Sequence, residues 1–236
     1  MEQSVEASIQ KIKFPLFLLL LIWIVEIYEY VRNVDFSDWG IFPREWDGFI
    51  GILTAPYIHS DFEHLMSNSV PLVVLTTIMM FFYSRVAIPS YFIIQFLTGF
   101  SVWLFARPSY HIGASGVVYG LVAFVFWSGI FRRNLRSIVL ALIVVVLYSG
   151  YFHGIVPNKE GVSWESHLFG GLVGIFTAFL FKDITESADE VVDPWADEEE
   201  PSQYFLPRDT FEKTKWQKEQ ERLLSERRWD SDSTLS

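Results

Sequence analysis

The sequence contains no cysteine, and only 19% of its 236 residues are charged. The lack of cysteine excludes disulfide bonds, thiol catalysis and thiolate metal sites. Basic residues are also scarce: 18 lysines and arginines stand against 28 acidic residues, which gives a formal net charge of −10. Because no stretch forms the basic patch typical of nucleic-acid-binding proteins, we expect no nucleic-acid partner.

The negative charge lies almost entirely in the C-terminal part of the chain. Residues 183–236 hold 16 acidic and 7 basic residues, whereas residues 1–182 hold 12 and 11. The first 182 residues also hold 20 of the 22 phenylalanines, in apolar runs too long for an ordinary soluble domain. We therefore predict a membrane domain over residues 1–182 and an acidic cytoplasmic tail over residues 183–236.

The tail combines clustered acidic residues with Pro194 and Pro201, and it has few apolar positions. Such a composition cannot bury a core, so the tail is predicted to be mostly disordered. A helix is predicted over residues 209–228, where Asp209 and Glu212 have the spacing of a capping box. A solvated tail is preferred to a second folded domain.

Six apolar segments are candidates for crossing a bilayer, since a spanning helix needs about 20 mostly apolar residues. They cover residues 14–31, 64–83, 86–106, 115–130, 136–156 and 164–181. The fourth segment would be only about 24 Å long at about 1.5 Å per residue, so one of its ends should lie below the membrane surface. We therefore predict an all-α, six-span membrane bundle.

The first loop, residues 32–63, mixes large apolar residues such as Trp39 and Trp46 with charged residues such as Arg44 and Asp47. This mixture suits a segment that lies in the membrane interface with its apolar face down. An ordinary folded extracellular loop is an equally open interpretation.

Lysines and arginines near the ends of the six segments favour one side of the membrane by seven to four. Basic residues accumulate in cytoplasmic loops. The bias predicts that both termini are cytoplasmic, in a multi-pass protein of the cell (inner) membrane.

Polar residues stand near the starts of three of these segments, where ionisable groups are costly and so suggest function. The second segment has His59, His64 and Asn68; the fourth has Gly113, Ser115, Gly116, Tyr119 and Gly120; and the sixth has His167, Gly170 and Gly174. Each motif has an ordinary structural explanation when taken alone: a helix cap, a hydrogen-bonded histidine, or a surface for helix packing. It is their combination that predicts a functional site.

The glycines form two Gly-x-x-x-Gly pairs, Gly116 with Gly120 and Gly170 with Gly174. Such pairs let two helices approach closely. If the fourth and sixth helices pack through these glycines, the polar residues at their outer ends become neighbours.

This packing would place Ser115 beside His167. A hydroxyl beside an imidazole is the minimum for an activated nucleophile, because histidine accepts the proton as serine attacks a carbonyl. Tyr119, one turn beyond the serine, is placed to hold the imidazole ring. His64 and Asn68, four residues apart on one helical face, can donate hydrogen bonds to an oxyanion. The backbone N–H of Ser115 can do the same at the start of its helix.

Over residues 14–182 this set of motifs resembles the rhomboid family of intramembrane serine proteases. The resemblance comprises six spans, a long first loop, Gly-x-Ser-Gly at the start of the fourth span, a histidine entering the sixth, and a His-x4-His-x3-Asn pattern. It implies that Ser115 is the nucleophile and that His167 is the general base and acid. It also implies that His64 and Asn68 bind the oxyanion and that Tyr119 stacks on the catalytic histidine.

The resemblance further implies an activity, which is hydrolysis of peptide bonds in or near the transmembrane segments of single-span proteins through an acyl-enzyme. The expected partners are such substrates and the lipid bilayer, with no metal and no cofactor. Many family members have a Trp-Arg pair in the first loop, where this sequence has Ile50 and Gly51. This departure concerns the conformation of the loop rather than the dyad of Ser115 and His167.

The sequence fits a metal site and a transporter less well. His59 and His64 are five residues apart, which does not suit two metal ligands on one helical face, and no His-Glu-x-x-His motif is present. Glu26, Glu29 and Arg32 would suit a transporter's proton relay, although an ion-paired face near the interface is preferred. A transporter would also show internal repeats or matched broken spans, which this sequence lacks. A catalytically inactive relative that only grips transmembrane helices stays open as an alternative.

Overall fold

The computed structural model describes residues 2–133, 135–150, 154, 156, 163–184, 186 and 213–233. The chain divides into two compact units, Met1–Glu190 and Val191–Ser236. The α-helices of the described residues are α1 (Glu2–Arg32), α2 (Gly51–Thr54), α3 (Phe62–Phe82), α4 (Ala87–Phe105), α5 (Ser115–Arg132), α6 (Leu135–Tyr148), α7 (Trp164–Leu180) and α8 (Lys215–Ser233). Extended pairing within the described residues is limited to one antiparallel bridge between Ile41 and His111. The predicted all-α class is confirmed.

Among the described residues, four helices are long and apolar enough to cross a membrane: Ser8–Arg32 within α1, and the whole of α3, α4 and α5. Within the predicted span over residues 136–156, α6 ends at Tyr148 and a 3₁₀ turn follows at Ser149 and Gly150, whereas residues 151–153 and 155 lie outside the described residues. Glycine favours the end of a helix, since it has no Cβ to restrict the backbone. At about 1.5 Å per residue, the 14 residues of α6 and the 17 of α7 extend roughly 21 and 25 Å. The six-span count therefore stays a prediction.

α5 is the central helix of the first unit. It contacts α3, α4, α6 and α7, and its side chains at Val118, Leu121 and Phe124 are fully buried. The helix runs to Arg132 rather than ending at Ile130, and its 18 residues still make it shorter than the 21-residue α3. Because other helices surround it, its polar N-terminal residues are enclosed by protein, which is where polar groups are tolerated at membrane depth.

The outer faces of the bundle are apolar. α1 packs against α3 through the buried Leu18, and Trp23 Nε1 donates a hydrogen bond to Ser69 Oγ at 3.1 Å. Large apolar side chains elsewhere on the same helices, such as Leu20 of α1 and Val70 of α3, are more than half exposed. Contiguous exposed apolar surface of this kind indicates a protein surrounded by lipid.

The first loop folds into short helical turns at Ser37–Trp39, Asp47–Phe49 and Ala55–Tyr57, together with α2. Ile41 and Ala55 are buried against the C-terminal end of α4, and Arg44 Nη1 donates to the carbonyl of Ala106 at 2.8 Å. Trp46 is 79% exposed. The loop is thus folded onto α4 and also presents apolar side chains outward. A folded loop and a segment in the membrane interface are therefore compatible interpretations.

Gly51 accounts for the departure from the family pattern in this loop. A Cβ at Gly51 would collide with the backbone of Gly40 and Ile41, so the crossing of these two chain segments leaves no room for a side chain. Ile50, the other departing residue, is 47% exposed. The loop therefore reaches its fold by a close backbone contact that requires glycine at this position.

The predicted ion-paired face at the end of α1 is not formed. Glu29 Oε1 accepts a hydrogen bond from the backbone N–H of Phe36 at 2.7 Å, and none of the ion pairs among the described residues joins Glu26 or Glu29 to Arg32. The chain reverses directly after α1 at Asn33, which has a φ of 50°. This reversal brings the Phe36 amide onto the carboxylate, which a sequence pattern within one helix cannot predict.

Glu186, beyond the predicted domain boundary at residue 182, packs within the first unit. Glu186 is 4% exposed, and its Oε2 accepts hydrogen bonds from Ser84 Oγ at 2.9 Å and Arg85 N at 3.2 Å. Its other oxygen lies 3.9 Å from Arg132 Nη1, and Arg132 Nη2 donates to the Phe181 carbonyl at 3.2 Å. A buried carboxylate thus lies where the ends of α3, α5 and α7 meet.

The predicted tail helix begins and ends later than expected. Residues 187–212, including the predicted cap at Asp209 and Glu212, lie outside the described residues, as does most of the predicted disorder. α8 runs from Lys215 to Ser233 rather than over 209–228. Its start is fixed by a reciprocal pair in which Gln217 N donates to Thr214 Oγ1 at 3.3 Å and Thr214 N donates to Gln217 Oε1 at 2.8 Å, which is the capping-box arrangement.

Candidate active site

The turn that leads into α5 has a backbone conformation that favours glycine. Gly113 has a φ of +98°, which side chains rarely tolerate, and a Cβ there would lie 2.6 Å from His64 Nε2. Gly113 N donates a hydrogen bond to the Ala55 carbonyl at 2.9 Å, which ties the turn to the first loop. The turn therefore delivers Ser115 as the first residue of α5 and leaves space for the His64 ring.

Ser115 and His167 lie within hydrogen-bond distance of each other. Ser115 Oγ is 2.8 Å from His167 Nε2, and His167 Nδ1 is 2.8 Å from the carbonyl oxygen of Gly154. Because a carbonyl can only accept, we assign the ring proton to Nδ1, which leaves Nε2 to accept the hydrogen bond of the serine hydroxyl. His167 is 7% exposed. This is the geometry of a serine nucleophile beside its base.

Two groups orient the imidazole of His167. The Gly154 carbonyl occupies the place that a carboxylate has in a serine triad, and the Tyr119 ring stacks on the imidazole with a centroid distance of 4.1 Å and an interplanar angle of 8°. A Cβ at Gly154 would collide with the Tyr119 hydroxyl. Sequence reasoning placed Tyr119 here but missed Gly154, since every residue has a carbonyl and none signals its use.

The close approach of α5 and α7 depends on glycine. A Cβ at Gly170 would collide with the carbonyl oxygen of Gly116, and a Cβ at Gly174 would collide with that of Gly120. The two backbones therefore touch through the four glycines that the sequence singled out. Gly171, the neighbour of one of them, has open space where its Cβ would be.

His64 lies at the start of α3, where Asp61 caps the helix by accepting from His64 N at 2.8 Å. Ser60 N donates to His64 Nδ1 at 3.4 Å, so we assign the ring proton to Nε2, the atom beside Gly113. Asn68 is 4% exposed, and its Nδ2 donates to the His64 carbonyl at 2.9 Å. The structure thus brings His64 Nε2 against the turn before α5, whereas this hydrogen bond of Asn68 stays within α3.

His59, the first histidine of the predicted pattern, packs edge-on against His64 with ring centroids 5.0 Å apart. Burial is the largest cause that lowers the pKa of His59, to about 3, and the charge of His64 lowers it further against the opposing effect of Asp61. His59 is therefore neutral at physiological pH. Within the described part of the chain, no three His, Asp or Glu side chains group closely enough to hold a metal ion.

Comparison with known proteins assigns the family. A family model described as "Rhomboid domain" matches residues 47–183, more than half of the chain. An uncharacterized protein of Mycobacterium tuberculosis is 34% identical over 169 residues, covering 68% of this chain and 70% of the relative, and one of Mycobacterium bovis matches equally. An uncharacterized protein of Mycobacterium leprae is 31% identical over 174 residues, covering 68% and 67%. With its apolar spanning helices, the chain is therefore an integral, multi-pass membrane protein of the rhomboid family.

Proposed function

We propose that this protein is an intramembrane serine protease that hydrolyses peptide bonds in or near the transmembrane segments of single-span membrane proteins. The proposal rests on two hydrogen bonds of His167, each 2.8 Å long. Ser115 Oγ donates to Nε2, and Nδ1 donates to the Gly154 carbonyl. They support a neutral imidazole whose free nitrogen faces the hydroxyl. That is the state a general base must have before the reaction starts.

The reaction proceeds in two halves. Ser115 Oγ attacks the scissile carbonyl carbon while His167 Nε2 takes the hydroxyl proton. The tetrahedral intermediate collapses as the imidazolium returns that proton to the leaving amine, which breaks the C–N bond and leaves an acyl-enzyme. Water then attacks the ester, again with His167 as base, and releases the acid and the free serine.

Negative charge on the carbonyl oxygen needs donors that are already in place. His64 Nε2–H, beside the turn before α5, supplies one donor, and the backbone N–H of Ser115 at the helix start supplies another. Asn68 supplies a third, because its amide has two N–H groups and only one is needed for the bond to the His64 carbonyl. No metal or cofactor takes part in this scheme.

The substrates follow from the location of the dyad. A side chain at the start of α5, within a bundle whose outer faces are apolar, meets substrates that are themselves in the membrane. A helical backbone has its carbonyls hydrogen-bonded and is closed to attack. We therefore expect single-span proteins whose helices unwind easily near the cleavage site.

The test is cleavage of a single-span reporter in membranes. Wild type should cleave it, and Ser115→Ala should not, because the nucleophile is lost. Ser149→Ala, which removes an exposed hydroxyl at the end of α6, is the matched control and should cleave at the wild-type rate. Equal cleavage by wild type and Ser115→Ala would remove the proposal.

We also propose that both termini face the cytoplasm and that the dyad opens toward the outer leaflet. The seven-to-four distribution of basic residues supports this orientation. The natural chain has no cysteine, so single cysteines at the exposed Pro108 and Asp183 report cleanly. On intact cells a membrane-impermeant maleimide should label position 108, and position 183 only after permeabilisation. Labelling of both positions from one side would contradict the orientation.

A further inference from the structure

His111 lies at the junction of three segments around the site. Its backbone forms both hydrogen bonds of the bridge to Ile41, at 2.9 and 3.0 Å, which joins it to the first loop. Its side chain is 3% exposed, and its Nδ1 is 2.6 Å from Ser163 Oγ, at the residue that caps α7. His111 precedes Ser115 by four residues, and Ser163 precedes His167 by four, so this contact connects the two chain segments that enter the dyad.

The donor and the acceptor of each hydrogen bond at this junction can be assigned. His111 Nε2 lies 3.1 Å from the Arg107 carbonyl, which can only accept, so Nε2 carries the proton and Nδ1 accepts from Ser163 Oγ. Having given its proton to His111, Ser163 Oγ accepts from Ser166 Oγ at 2.6 Å and from Ser166 N at 3.4 Å. The hydrogen bonds thus connect Ser166, which is next to His167, through Ser163 to His111 in the loop before α5.

A second contact supports the same junction. Arg107 Nε lies 3.6 Å from Glu165 Oε1, and the Glu165 side chain is 7% exposed. This ion pair joins the end of α4 to the first turn of α7. Both contacts involve residues that precede Ser115 and His167 in the sequence, and both join the loop of residues 107–114 to the start of α7.

We propose that His111 is a positioning residue that sets the separation of Ser115 and His167 by holding the start of α7 against the loop before α5. The inference rests on the proposed hydrolysis and adds a residue that acts on the dyad through Ser163. His111 touches neither the substrate nor the reacting atoms in this role. Its contribution is to keep the hydroxyl and the imidazole in a geometry where a displacement of about 1 Å costs about 10²-fold in rate.

The charge state of His111 agrees with this role. Burial is the largest cause that lowers its pKa; the Arg107 carbonyl and Glu165 oppose this effect, and the Arg107 charge adds to it. A lowered pKa keeps the ring neutral at pH 7, so Nδ1 is free to accept from Ser163. The contribution of this hydrogen bond is lost as the pH falls through the pKa of His111, when Nδ1 gains a proton and can no longer accept.

The experiment measures kcat and KM for reporter cleavage by the full-length protein in proteoliposomes. His111→Ala and Ser163→Ala should each lower kcat about 10- to 100-fold with KM nearly unchanged, because substrate contacts are intact. The double variant should lose no more than the worse single variant, since both remove one interaction. Ser163→Thr keeps the hydroxyl and His111→Gln keeps one donor and one acceptor, so both should recover most of the rate.

Pro108→Ala changes an exposed residue of the same loop and is the control, with wild-type kinetics expected. If Ser163 serves only as a helix cap, the losses of Ser163→Ala and His111→Ala will multiply in the double variant, which overturns the inference. Wild-type kcat in both single variants, with Ser115→Ala inactive, also overturns it and leaves the proposed hydrolysis standing. Cleavage by Ser115→Ala overturns the hydrolysis and the inference together. If His111→Ala fails to fold, His111→Phe, which keeps the volume of the ring and removes both of its nitrogens, takes its place in the single- and double-variant comparison.

Discussion

Replacing His167 with alanine should abolish labelling of Ser115 by a fluorophosphonate probe. The hydroxyl is a weak nucleophile without its base, and removal of the serine or the histidine of such a pair costs on the order of 10⁶-fold in rate. His167 Nε2 is the nitrogen that faces Ser115 Oγ at 2.8 Å. Labelling by His167→Ala should therefore be as low as labelling by Ser115→Ala, measured by in-gel fluorescence over a time course.

Asn68→Ala is the informative comparison for this experiment. It leaves the dyad intact and weakens only the stabilisation of the oxyanion, where the loss of one donor costs about 10²- to 10³-fold. His64 Nε2–H and the Ser115 N–H can soften that loss. Asn68→Ala should therefore label slowly but measurably. If Asn68→Ala were not labelled by the probe and His167→Ala were, the proposed roles would be reversed and a different base would be required.

Replacing Gly170 with alanine should strongly reduce activity, although the change adds a single methyl group. The added Cβ would collide with the carbonyl oxygen of Gly116, so α7 must move away from α5. Overpacking of this kind costs about 1–3 kcal/mol of stability, and a shift of about 1 Å between the helices costs about 10²-fold in rate. Reporter cleavage and the thermal midpoint should both fall.

Gly171→Ala is the matched control for this experiment. It places the same methyl group one residue further along the same helix, where nothing lies within 4 Å of the new Cβ. Alanine favours a helix over glycine by about 1 kcal/mol, so the thermal midpoint should stay level or rise and the activity should be unchanged. Equal losses in Gly170→Ala and Gly171→Ala would show that activity does not depend on the close contact of α5 and α7.

The orienting group of the imidazole is a backbone carbonyl rather than a carboxylate. Gly154 accepts the Nδ1 proton at 2.8 Å, and Tyr119 holds the ring plane by stacking. A neutral acceptor stabilises the imidazolium less than an ionised one does. It also spares the membrane domain a further buried charge, which would be costly at this depth.

The amino-acid sequence by itself determined the membrane class and the residues of the candidate site. Long apolar runs and a tail that carries nearly all the net charge are properties of composition, which needs no tertiary information. The spacing of Gly116, Gly120, Gly170 and Gly174 indicated which helix faces meet, because small residues four apart mark a close helix contact. Placing Ser115 at the start of one of those helices then sufficed to predict its neighbour.

Only the tertiary structure decided the contacts that join distant segments. The Gly154 carbonyl beside His167, the Phe36 amide on Glu29 and the Glu186 carboxylate on the α3–α4 turn all link residues from different elements or from across a chain reversal. Nearly every residue has a backbone carbonyl and amide, so the sequence does not mark the ones that bind a side chain. The partner of a buried charge is likewise set only by how the elements pack. The end of α6 at Tyr148 also has no hydropathy signal, since apolar residues continue beyond it in the sequence. Hydropathy is a property of side chains, whereas helix ends and buried pairs depend on the path of the backbone in the tertiary structure.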